Sequence, residues 1–312
     1  MISFSILLAT FFLSVVSTTA LPRFDHVVIF GDSYSDVDNP VITTSAAWPT
    51  YLSSYTGLGA NVKSYAKQAK QCIHIQTEQL PEFIRDSSTH PPDSTLYIVF
   101  IGFNDLAALG GDSLVALQWD DRLNVSSCPV QVMSNLTATA GAKHFLWFKM
   151  VPFKIVPLFT PPNGSFKDIG PQVAQLGKLG NSLTTALLED FAAADADLSV
   201  GIFDTYSLFN DIHDHPSSYL NGSLPPDVNS YVTRNKSRPA DVRDSFMWWD
   251  QNHPSEQINR IIARRVAEGL GGNTEWVSWL PSKPPTSQSY ALSLNKKTIV
   301  ALGFAIGVLY SW

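Results

Sequence analysis

The stretch HVVIFGDSYSD at residues 26–36 decides the fold, because it leads from a short apolar run into a row of polar side chains. Residues 26–30 are rich in Val, Ile and Phe, which is typical of a strand buried on both faces of a parallel sheet. Gly31 permits a tight turn out of this strand. We therefore expect Ser33 to lie exposed at the sheet edge, with its backbone N–H near the start of a helix.

Further apolar runs alternate with longer helical patterns along the chain. The predicted strands cover 26–30, 62–65, 95–101, 145–151 and 200–203. The predicted helices cover 46–55, 71–85, 113–138, 172–193 and 255–269, and loops rich in Pro, Gly and Asn cover 157–169 and 210–245. This alternation predicts one α/β domain over 21–280, a three-layer α/β/α sandwich with a central parallel five-stranded sheet.

Composition and charge limit the classes of protein. The chain has 312 residues, of which 45% are apolar and 15% charged, so it can build a packed core and is not disordered throughout. Residues 21–280 carry 18 Lys and Arg against 27 Asp and Glu, a net charge of −9. A nucleic-acid surface needs the opposite sign, so we expect no nucleic-acid partner.

The N-terminal residues 1–20 are predicted to be a signal peptide. Residues 6–16 form an apolar segment of suitable length, and small residues precede a cleavage point after Ala20. Five N-x-S/T sequons agree with export into a glycosylating compartment. The protein is therefore expected to be secreted and to carry glycans on at least some of Asn124, Asn135, Asn163, Asn221 and Asn235.

The C-terminal end is predicted to contain a second targeting segment. Residues 281–297 are predicted to be a linker that ends in two lysines, and residues 298–312 form an uncharged, mostly apolar tail. As a helix this tail would span about 22 Å, which is short for a hydrocarbon core of about 30 Å. A glycolipid-anchor signal, and hence attachment to the cell surface, explains the pattern best; a tail anchor and no membrane role are the alternatives.

Two further polar segments lie close to predicted strands, and parallel sheets bind their ligands just beyond the carboxyl ends of the strands. The segment 102–105 (GFND) follows the third predicted strand, and 248–254 (WWDQNHP) precedes the last predicted helix. Asp250 and His253 are three residues apart and can hydrogen-bond to each other in a turn. Pro254 holds His253 out of the α region and is tolerated at the first helical position.

These residue types fit nucleophilic catalysis. A serine hydroxyl is a poor nucleophile until a base takes its proton, and the base needs a carboxylate that fixes its tautomer. Ser33, His253 and Asp250 supply these residue types. The G-x-S-x-G elbow is absent from the sequence, which disfavours an ordinary α/β-hydrolase.

Together and in this order, the segments GDSYSD, GFND and WWDQNHP resemble the blocks of the GDSL or SGNH hydrolases, over nearly all of 25–270. The finer details, including VPFKIVPLF after the fourth predicted strand, are most similar to the fungal acetylesterases of carbohydrate esterase family sixteen. The resemblance implies an SGNH or flavodoxin-like fold, with Ser33 as nucleophile, His253 as general base and Asp250 as its orienting carboxylate. It implies no cofactor and no metal.

The resemblance also implies an oxyanion hole made of the Ser33 N–H, the Ala69 N–H and the Asn104 side chain. Here the chain departs from the family pattern, because Ala69 stands where glycine is usual. If the turn requires a positive φ, the alanine costs about 1 kcal/mol.

Three further groups of residues have a structural interpretation beside a functional one. Cys72 and Cys128 are predicted to form a disulfide, with two unpaired buried thiols as the alternative. A cluster of acids and histidines is interpreted as a solvated loop rather than a metal site: Asp211, His213, Asp214 and His215. Several aromatic residues are interpreted as core or cleft wall, with sugar stacking as the alternative: Trp48, Tyr51, Trp147, Trp248 and Trp249.

These observations predict a secreted, monomeric serine esterase that removes short acyl groups through an acyl-enzyme. Its expected partner is a small acylated molecule, above all an acetylated sugar. A lipase or phospholipase on the same scaffold is one alternative. A cell-surface binding protein with a degraded hydrolase core is the other, suggested by Ala69 and the predicted anchor. Substrate identity is expected to depend on loops 34–48, 157–169 and 210–245.

Overall fold

The computed structural model describes residues 23–39, 46–56, 61–86, 90–111, 119–235 and 238–281. The predicted signal peptide, the C-terminal tail and nearly all of the predicted linker lie outside the described residues. Among the helices that are described, none combines the length and the apolar character needed to cross a bilayer.

Eight strands and nine α-helices, with one π-helix and five short 3₁₀ helices between them, make up the regular structure of the described residues. The strands are β1 (His26–Gly31), β2 (Asn61–Ser64), β3 (Thr95–Phe100), β4 (His144–Phe148), β5 (Ser199–Phe203), β6 (Asp227–Tyr231), β7 (Phe246–Trp248) and β8 (Val277–Trp279). The helices are α1 (Trp48–Thr56), α2 (Cys72–His74), α3 (Leu80–Asp86), α4 (Phe103–Gly111), α5 (Trp119–Ala140), α6 (Gly170–Ala194), α7 (Thr205–Asp214), α8 (Ala240–Arg243) and α9 (Glu256–Leu270).

The central sheet has the strand order β2-β1-β3-β4-β5-β8. Its first five strands are parallel and are the five that the sequence predicts, with bounds that differ by up to three residues. Strand β4 ends at Phe148 rather than at 151, because the Asn181 side chain takes both backbone hydrogen bonds of Met150, at 2.8 and 2.9 Å. The predicted α/β fold is confirmed.

The two faces of the sheet pack against different helices. Alternate strand residues, Val27 and Ile29 on one face and Val28 and Phe30 on the other, belong to separate buried clusters. The first cluster includes side chains of α1, α7 and α9, and the second includes side chains of α3, α5 and α6. The result is the expected three-layer sandwich, because strands buried on both faces require helices on both faces.

The sixth strand and several short elements differ from the sequence prediction. Strand β8 pairs antiparallel with β5, and its Trp279 packs so close to Gly201 that a Cβ there would lie 3.0 Å from the indole ring. The range 210–245 is not one loop, because it contains the end of α7, strand β6 and helix α8. Strand β6 pairs with β7 in a second, two-stranded sheet.

The helical segment 72–86 contains a wide turn that local pattern does not predict. Residues Ile75–Gln79 between α2 and α3 form a π-helix. This turn places the side chain of Gln79, which is 1% exposed, against the end of β1. π-helical turns of this kind are frequent at functional sites.

A disulfide joins Cys72 to Cys128, as predicted, with a Cα–Cα distance of 6.0 Å. It connects the start of α2 to the buried side of α5. The bridge closes a loop across 56 residues and lies close in sequence to Ala69. It therefore ties the segment that follows β2 to a helix on the same side of the sheet.

We predict that Cys72→Ala/Cys128→Ala lowers the free energy of unfolding by about 2–4 kcal/mol, because the unfolded chain regains the entropy of an open loop. Urea unfolding monitored by tryptophan fluorescence measures the loss. Dithiothreitol serves as the matched control: it should destabilise the wild type to the same extent and leave the double variant unchanged. Equal midpoints for the oxidised wild type and the double variant would contradict the prediction.

Candidate active site

The end of β1 is held rigidly at Gly31. A Cβ at this position would lie 2.3 Å from the carbonyl oxygen of Phe100 on β3, so the two strands can pair here only through a glycine. The buried side chain of Gln79 accepts from the Gly31 N–H at 3.0 Å and donates to the Gly31 carbonyl at 2.8 Å. Ser33, the candidate nucleophile, therefore follows a rigidly held residue in the chain.

Ser33 lies in a turn rather than at a helix start. The Asp32 carboxylate accepts from the Tyr34 N–H at 3.0 Å, and the Asp32 carbonyl accepts from the Ser35 N–H at 3.0 Å. No helix begins within the described residues 32–39, so the expected helix start is wrong. The expected exposure is also wrong, because Ser33 is only 3% exposed.

The structure brings Ser33, His253 and Asp250 into one hydrogen-bonded line. The Nε2 atom of His253 lies 2.9 Å from the Ser33 Oγ, and its Nδ1 atom lies 2.7 Å from an oxygen of Asp250. His253 as a whole is 5% exposed, so this line is shielded from solvent. Serine hydrolases use this order of hydroxyl, imidazole and carboxylate.

The loop that carries Asp250 and His253 is fixed by its own backbone. The second oxygen of Asp250 accepts from the N–H groups of Asn252 and His253, at 2.9 and 2.7 Å. Ser255 caps α9, so Pro254 lies two residues before the first residue of the helix. Pro254 forms a bridge with Trp248.

Tyr34 connects the two halves of the site, and sequence reasoning did not identify it. Its hydroxyl donates to the carbonyl of Asn252, which is 218 residues away in the chain. Its ring packs against Phe100 and Phe103 and lies 6.1 Å from the ring of His253. The turn that carries Ser33 therefore also holds the loop that carries His253.

The hydrogen bonds at Asp250 keep its carboxylate ionised. Burial alone would raise the pKa of Asp250, but the bonds from the His253 ring and from two backbone N–H groups outweigh burial and hold the pKa below its usual range. An ionised Asp250 fixes the proton on Nδ1 of His253, which leaves Nε2 as an acceptor toward Ser33.

The candidate oxyanion donors lie on three neighbouring segments. In the described part of the chain the N–H groups of Ser33 and Ala69 have no hydrogen-bond partner. The Asn104 side chain donates to the Lys70 carbonyl at 3.0 Å, which holds its amide group against the segment that contains Ala69. An amide carries two N–H donors, so one remains for a ligand.

Ala69 has a φ of 58°, and it is the one non-glycine residue with a positive φ in the described ranges. The turn therefore does require the left-handed conformation in which alanine is strained. The turn is held by a carboxylate oxygen of Asp36, which accepts from the Gln68 N–H at 2.8 Å, and by the Gly31 carbonyl, which accepts from the Lys67 N–H at 3.3 Å. Both anchors belong to the segment that carries Ser33.

Two further carboxyls lie close to this line of residues. Asp32 is 2% exposed, and burial raises its pKa to about 7, with the nearby charge of Asp105 adding to the rise. Burial also raises the pKa of Asp105, of which one oxygen accepts from the Cys72 N–H at 3.0 Å. Burial therefore disfavours the charged form of both carboxyls, in contrast to Asp250.

The remaining predicted groups are placed away from the reactive line. Four of the aromatic side chains interpreted as core or cleft wall are almost fully buried: Trp48, Trp147, Trp248 and Trp249. The fifth, Tyr51, is half-buried and donates a hydrogen bond to Glu256. The acid and histidine cluster lies mainly on α7, with His215 paired to Asp211 at 3.0 Å, so it is not the loop we expected. Within the described residues, no three metal-ligating side chains are grouped so that they could hold an ion.

The predicted glycosylation residues are accessible where the structure describes them. The side chains of Asn124 and Asn135 are exposed on α5, and those of Asn163 and Asn221 are exposed in loops. The side chain of Asn235 lies outside the described set. The Asn135 amide donates to Gln76 at 2.6 Å.

A parallel α/β sheet with a Ser-His-Asp line at the carboxyl ends of its strands defines a hydrolase of the serine type. A family model described as GDSL-like Lipase/Acylhydrolase matches residues 27–266. The chain belongs to the GDSL-like lipase/acylhydrolase family and is a carboxylic ester hydrolase, which confirms the predicted family and enzyme class.

Two curated relatives share a name. An acetylesterase of Hypocrea jecorina is 25% identical over 88% of this chain and 99% of its own length. An acetylesterase of Thermothelomyces thermophilus is 27% identical over 58% of this chain, which spans about half, 54%, of that protein. A solved acetylxylan esterase of Geobacillus stearothermophilus aligns with a TM-score of 0.46 at 15% identity, over 82% of this chain and 98% of that chain, too distantly to carry an argument.

We predict that Ala69→Gly raises the free energy of unfolding by up to about 1 kcal/mol, because glycine adopts a positive φ without steric cost. The matched control is Ala138→Gly at an exposed position of α5, which should lower stability by about 1 kcal/mol. Urea unfolding at fixed pH measures both. Equal destabilisation by the two substitutions would show that the turn at Ala69 is not strained.

We predict that Asp32→Asn stabilises the protein increasingly between about pH 4 and pH 7. The pKa of Asp32 in the folded protein is about 7, against an ordinary value of 3.8. The contribution of Asp32 to the free energy of unfolding is therefore fully present below the unfolded pKa and is lost as pH rises to the folded pKa. The variant removes this loss, and above about pH 7 its advantage should level off at roughly 4 kcal/mol. Urea unfolding across pH measures it. Exposed Asp190→Asn is the control, and a pH-independent difference would contradict the prediction.

Proposed function

We propose that the protein is a serine esterase that removes acetyl groups from carbohydrates through an acyl-enzyme. The observation that carries this proposal is the unbroken line from Ser33 Oγ through the His253 ring to Asp250, with distances of 2.9 and 2.7 Å. Family membership supplies the reaction class, and the names of the two fungal acetylesterases support acetyl as the acyl group.

In the first half-reaction Ser33 Oγ attacks the ester carbonyl while its proton passes to His253 Nε2. The carbonyl oxygen becomes an oxyanion, for which the N–H groups of Ser33 and Ala69 and the amide of Asn104 are the proposed donors. The carbon to alcohol-oxygen bond then breaks, and His253 returns the proton to the departing sugar hydroxyl. Asp250 stabilises the imidazolium that exists between the two proton transfers.

In the second half-reaction water replaces the alcohol. His253 takes a proton from the water as it attacks the acetyl carbonyl on Ser33, and the same donors hold the second oxyanion. The carbon to Ser33 oxygen bond breaks, the serine regains its proton from His253, and acetic acid leaves and ionises in solvent. Every step uses the three side chains that the structure joins, and none needs a cofactor.

We also propose that the protein acts outside the cell as a monomer. Support comes from the apolar segment 6–16, from the disulfide, and from the exposed side chains of four of the five sequon asparagines. Attachment to the cell surface through the tail 298–312 belongs to the same proposal. Size-exclusion chromatography, mass spectrometry of tryptic glycopeptides and a search for peptides beyond 298 in the mature protein test these statements separately.

We predict that the full chain hydrolyses p-nitrophenyl acetate and that Ser33→Ala abolishes this activity, because the variant lacks the hydroxyl that forms the acyl-enzyme. Asp250→Asn should lower kcat roughly 10²–10⁴-fold, because the amide no longer fixes the His253 tautomer. Ser182→Ala, an exposed serine on α6 away from the site, serves as the matched control and should keep full activity. Full activity of Ser33→Ala would refute the assignment of the nucleophile.

Two further measurements separate the alternatives. Comparison of p-nitrophenyl acetate with p-nitrophenyl palmitate distinguishes an acetylesterase from a lipase. A fluorophosphonate probe should label Ser33 in the wild type and not in Ser33→Ala. Absence of labelling in the wild type would favour a binding protein with a degraded site.

A further inference from the structure

Strand β1 continues beyond the end of its neighbour β2. Pairing between the two strands ends where Ile29 lies opposite Ser64, and the N–H of the next residue, Tyr65, still donates to the Ile29 carbonyl at 2.8 Å. The chain then leads into the turn that contains Ala69. Alternate residues of a strand direct their N–H and carbonyl groups to the same neighbour, so Gly31 faces the side on which β2 has ended.

The side chain of Gln79 takes the place of β2 at this point. Its amide oxygen accepts from the Gly31 N–H at 3.0 Å, and its amide nitrogen donates to the Gly31 carbonyl at 2.8 Å. A neighbouring strand would offer the same pair, one acceptor and one donor. Gln79 is 1% exposed and Gly31 is buried, so this contact is shielded from water.

Gln79 is itself held firmly, which is necessary for a residue that positions another. Its helical segment begins at Cys72, whose disulfide ties the segment to α5. Beyond Gln79, the ring of Phe83 packs against the rings of Phe30 and Tyr65, with centroid distances of 5.6 and 5.8 Å. The π-helical turn lies between these two anchors and directs the amide toward the sheet. The amide is therefore a fixed partner for the end of β1.

Gly31 connects Gln79 to the candidate nucleophile and to one oxyanion donor. Ser33 follows Gly31 by two residues, which corresponds to at most about 7.6 Å between their Cα atoms. The Gly31 carbonyl also accepts from the N–H of Lys67 at 3.3 Å, and Lys67 begins the turn that contains Ala69. Without the Gln79 amide, the buried Gly31 N–H can regain an acceptor only if the end of β1 or the chain after β2 moves. Such a movement would displace Ser33 and Ala69.

We propose that Gln79 is a positioning residue of the esterase, which acts through Gly31 to hold the Ser33 hydroxyl within hydrogen-bond distance of His253. This inference rests on the role that the proposed function gives to Ser33, but not on the identity of the substrate. The distance to be maintained is 2.9 Å between Ser33 Oγ and His253 Nε2. A displacement of about 1 Å, caused by a substitution outside the reacting groups, costs on the order of 10²-fold in rate. Loss of the Gln79 amide therefore lowers kcat.

Asn181 provides a matched control, because its side chain makes the same two hydrogen bonds at the end of a different strand. Its amide accepts from the Met150 N–H at 2.8 Å and donates to the Met150 carbonyl at 2.9 Å, just beyond β4. Asn181 is 6% exposed, so it is buried like Gln79. No residue of the proposed catalytic line or oxyanion hole lies on the segment 149–164 that follows β4. Asn181→Leu and Gln79→Met thus remove the same type of contact at two places.

The test compares both variants with the wild type in the full chain. Both should lower the urea midpoint, because each leaves a buried backbone N–H without an acceptor. On p-nitrophenyl acetate, Gln79→Met should lower kcat roughly 10- to 100-fold and change KM by less than about twofold, since both half-reactions slow together. Asn181→Leu should keep kcat within about twofold of the wild type. An unchanged kcat in Gln79→Met, or an equal loss in Asn181→Leu, overturns the proposal.

Gln79→Glu supplies a second variant with a pH signature. A neutral glutamic acid has one acceptor oxygen and one O–H donor, so it can make both bonds to Gly31, whereas the ionised form has no donor. Burial favours the neutral acid at low pH. Relative to the wild type, kcat of Gln79→Glu should be restored at pH 5 and lost again by pH 9. A relative kcat at pH 5 that is no higher than that of Gln79→Met overturns the proposal.

A fluorophosphonate probe measures the reactivity of Ser33 without an acyl group or a sugar. Its labelling rate at Ser33 should fall together with kcat in Gln79→Met and stay at the wild-type value in Asn181→Leu. If the wild type cleaves p-nitrophenyl acetate but no acetylated sugar, the carbohydrate part of the proposed function fails, and these comparisons still decide about Gln79. Equal labelling rates in the wild type and in Gln79→Met overturn the positioning role.

Discussion

The close approach of β1 to β3 at Gly31 is the constraint on which the site depends. With a Cβ 2.3 Å from the Phe100 carbonyl, any other residue would push the two strands apart at the point where β1 ends. Gly31 also exchanges two hydrogen bonds with Gln79 and accepts one from the Lys67 N–H. The strand, the helical segment 72–86 and the turn at Ala69 therefore meet at one residue, and Ser33 follows two residues later.

The same turn fixes the distant base. Ser33 and His253 are 220 residues apart, so their 2.9 Å contact cannot result from local structure. Tyr34 supplies the connection, because its hydroxyl binds the Asn252 carbonyl while its ring is packed between Phe100 and Phe103. Displacement of the loop that carries His253 would leave the buried Tyr34 hydroxyl without a hydrogen-bond partner. Loss of a buried hydrogen bond costs more free energy than loss of an exposed one.

Local pattern explains what could be predicted from the sequence. Buried parallel strands are recognisable because they are short apolar runs, and Asp250 with His253 is recognisable because both members of the pair lie within one turn. The resemblance to known hydrolases then added Ser33 and Asn104. The antiparallel strand β8 was missed because three residues carry no periodicity, and it is held by contact with Gly201 instead.

Long-range contacts explain what could not be predicted. In the sequence Gln79 has the appearance of a solvent-facing helix residue, and only the π-helical turn places it against Gly31. Tyr34 likewise carries no local sign of its bond to Asn252. The strain at Ala69 could be stated only as a condition, because the sign of φ depends on anchors from Asp36 and Gly31.

The supply of hydrogen-bond donors decides which carboxyl of the site is charged. Asp250 receives two backbone N–H groups and the His253 ring, so it stays ionised in spite of burial and can stabilise an imidazolium. Asp32 is more deeply buried, and burial together with the charge of Asp105 raises its pKa to about 7, although the bond from the Tyr34 N–H opposes the rise. A negative charge on Asp32 would oppose an oxyanion formed beside Ser33, whereas the neutral acid does not. Below about pH 7, two carboxyls close to one serine can therefore differ in charge because the fold gives them different environments.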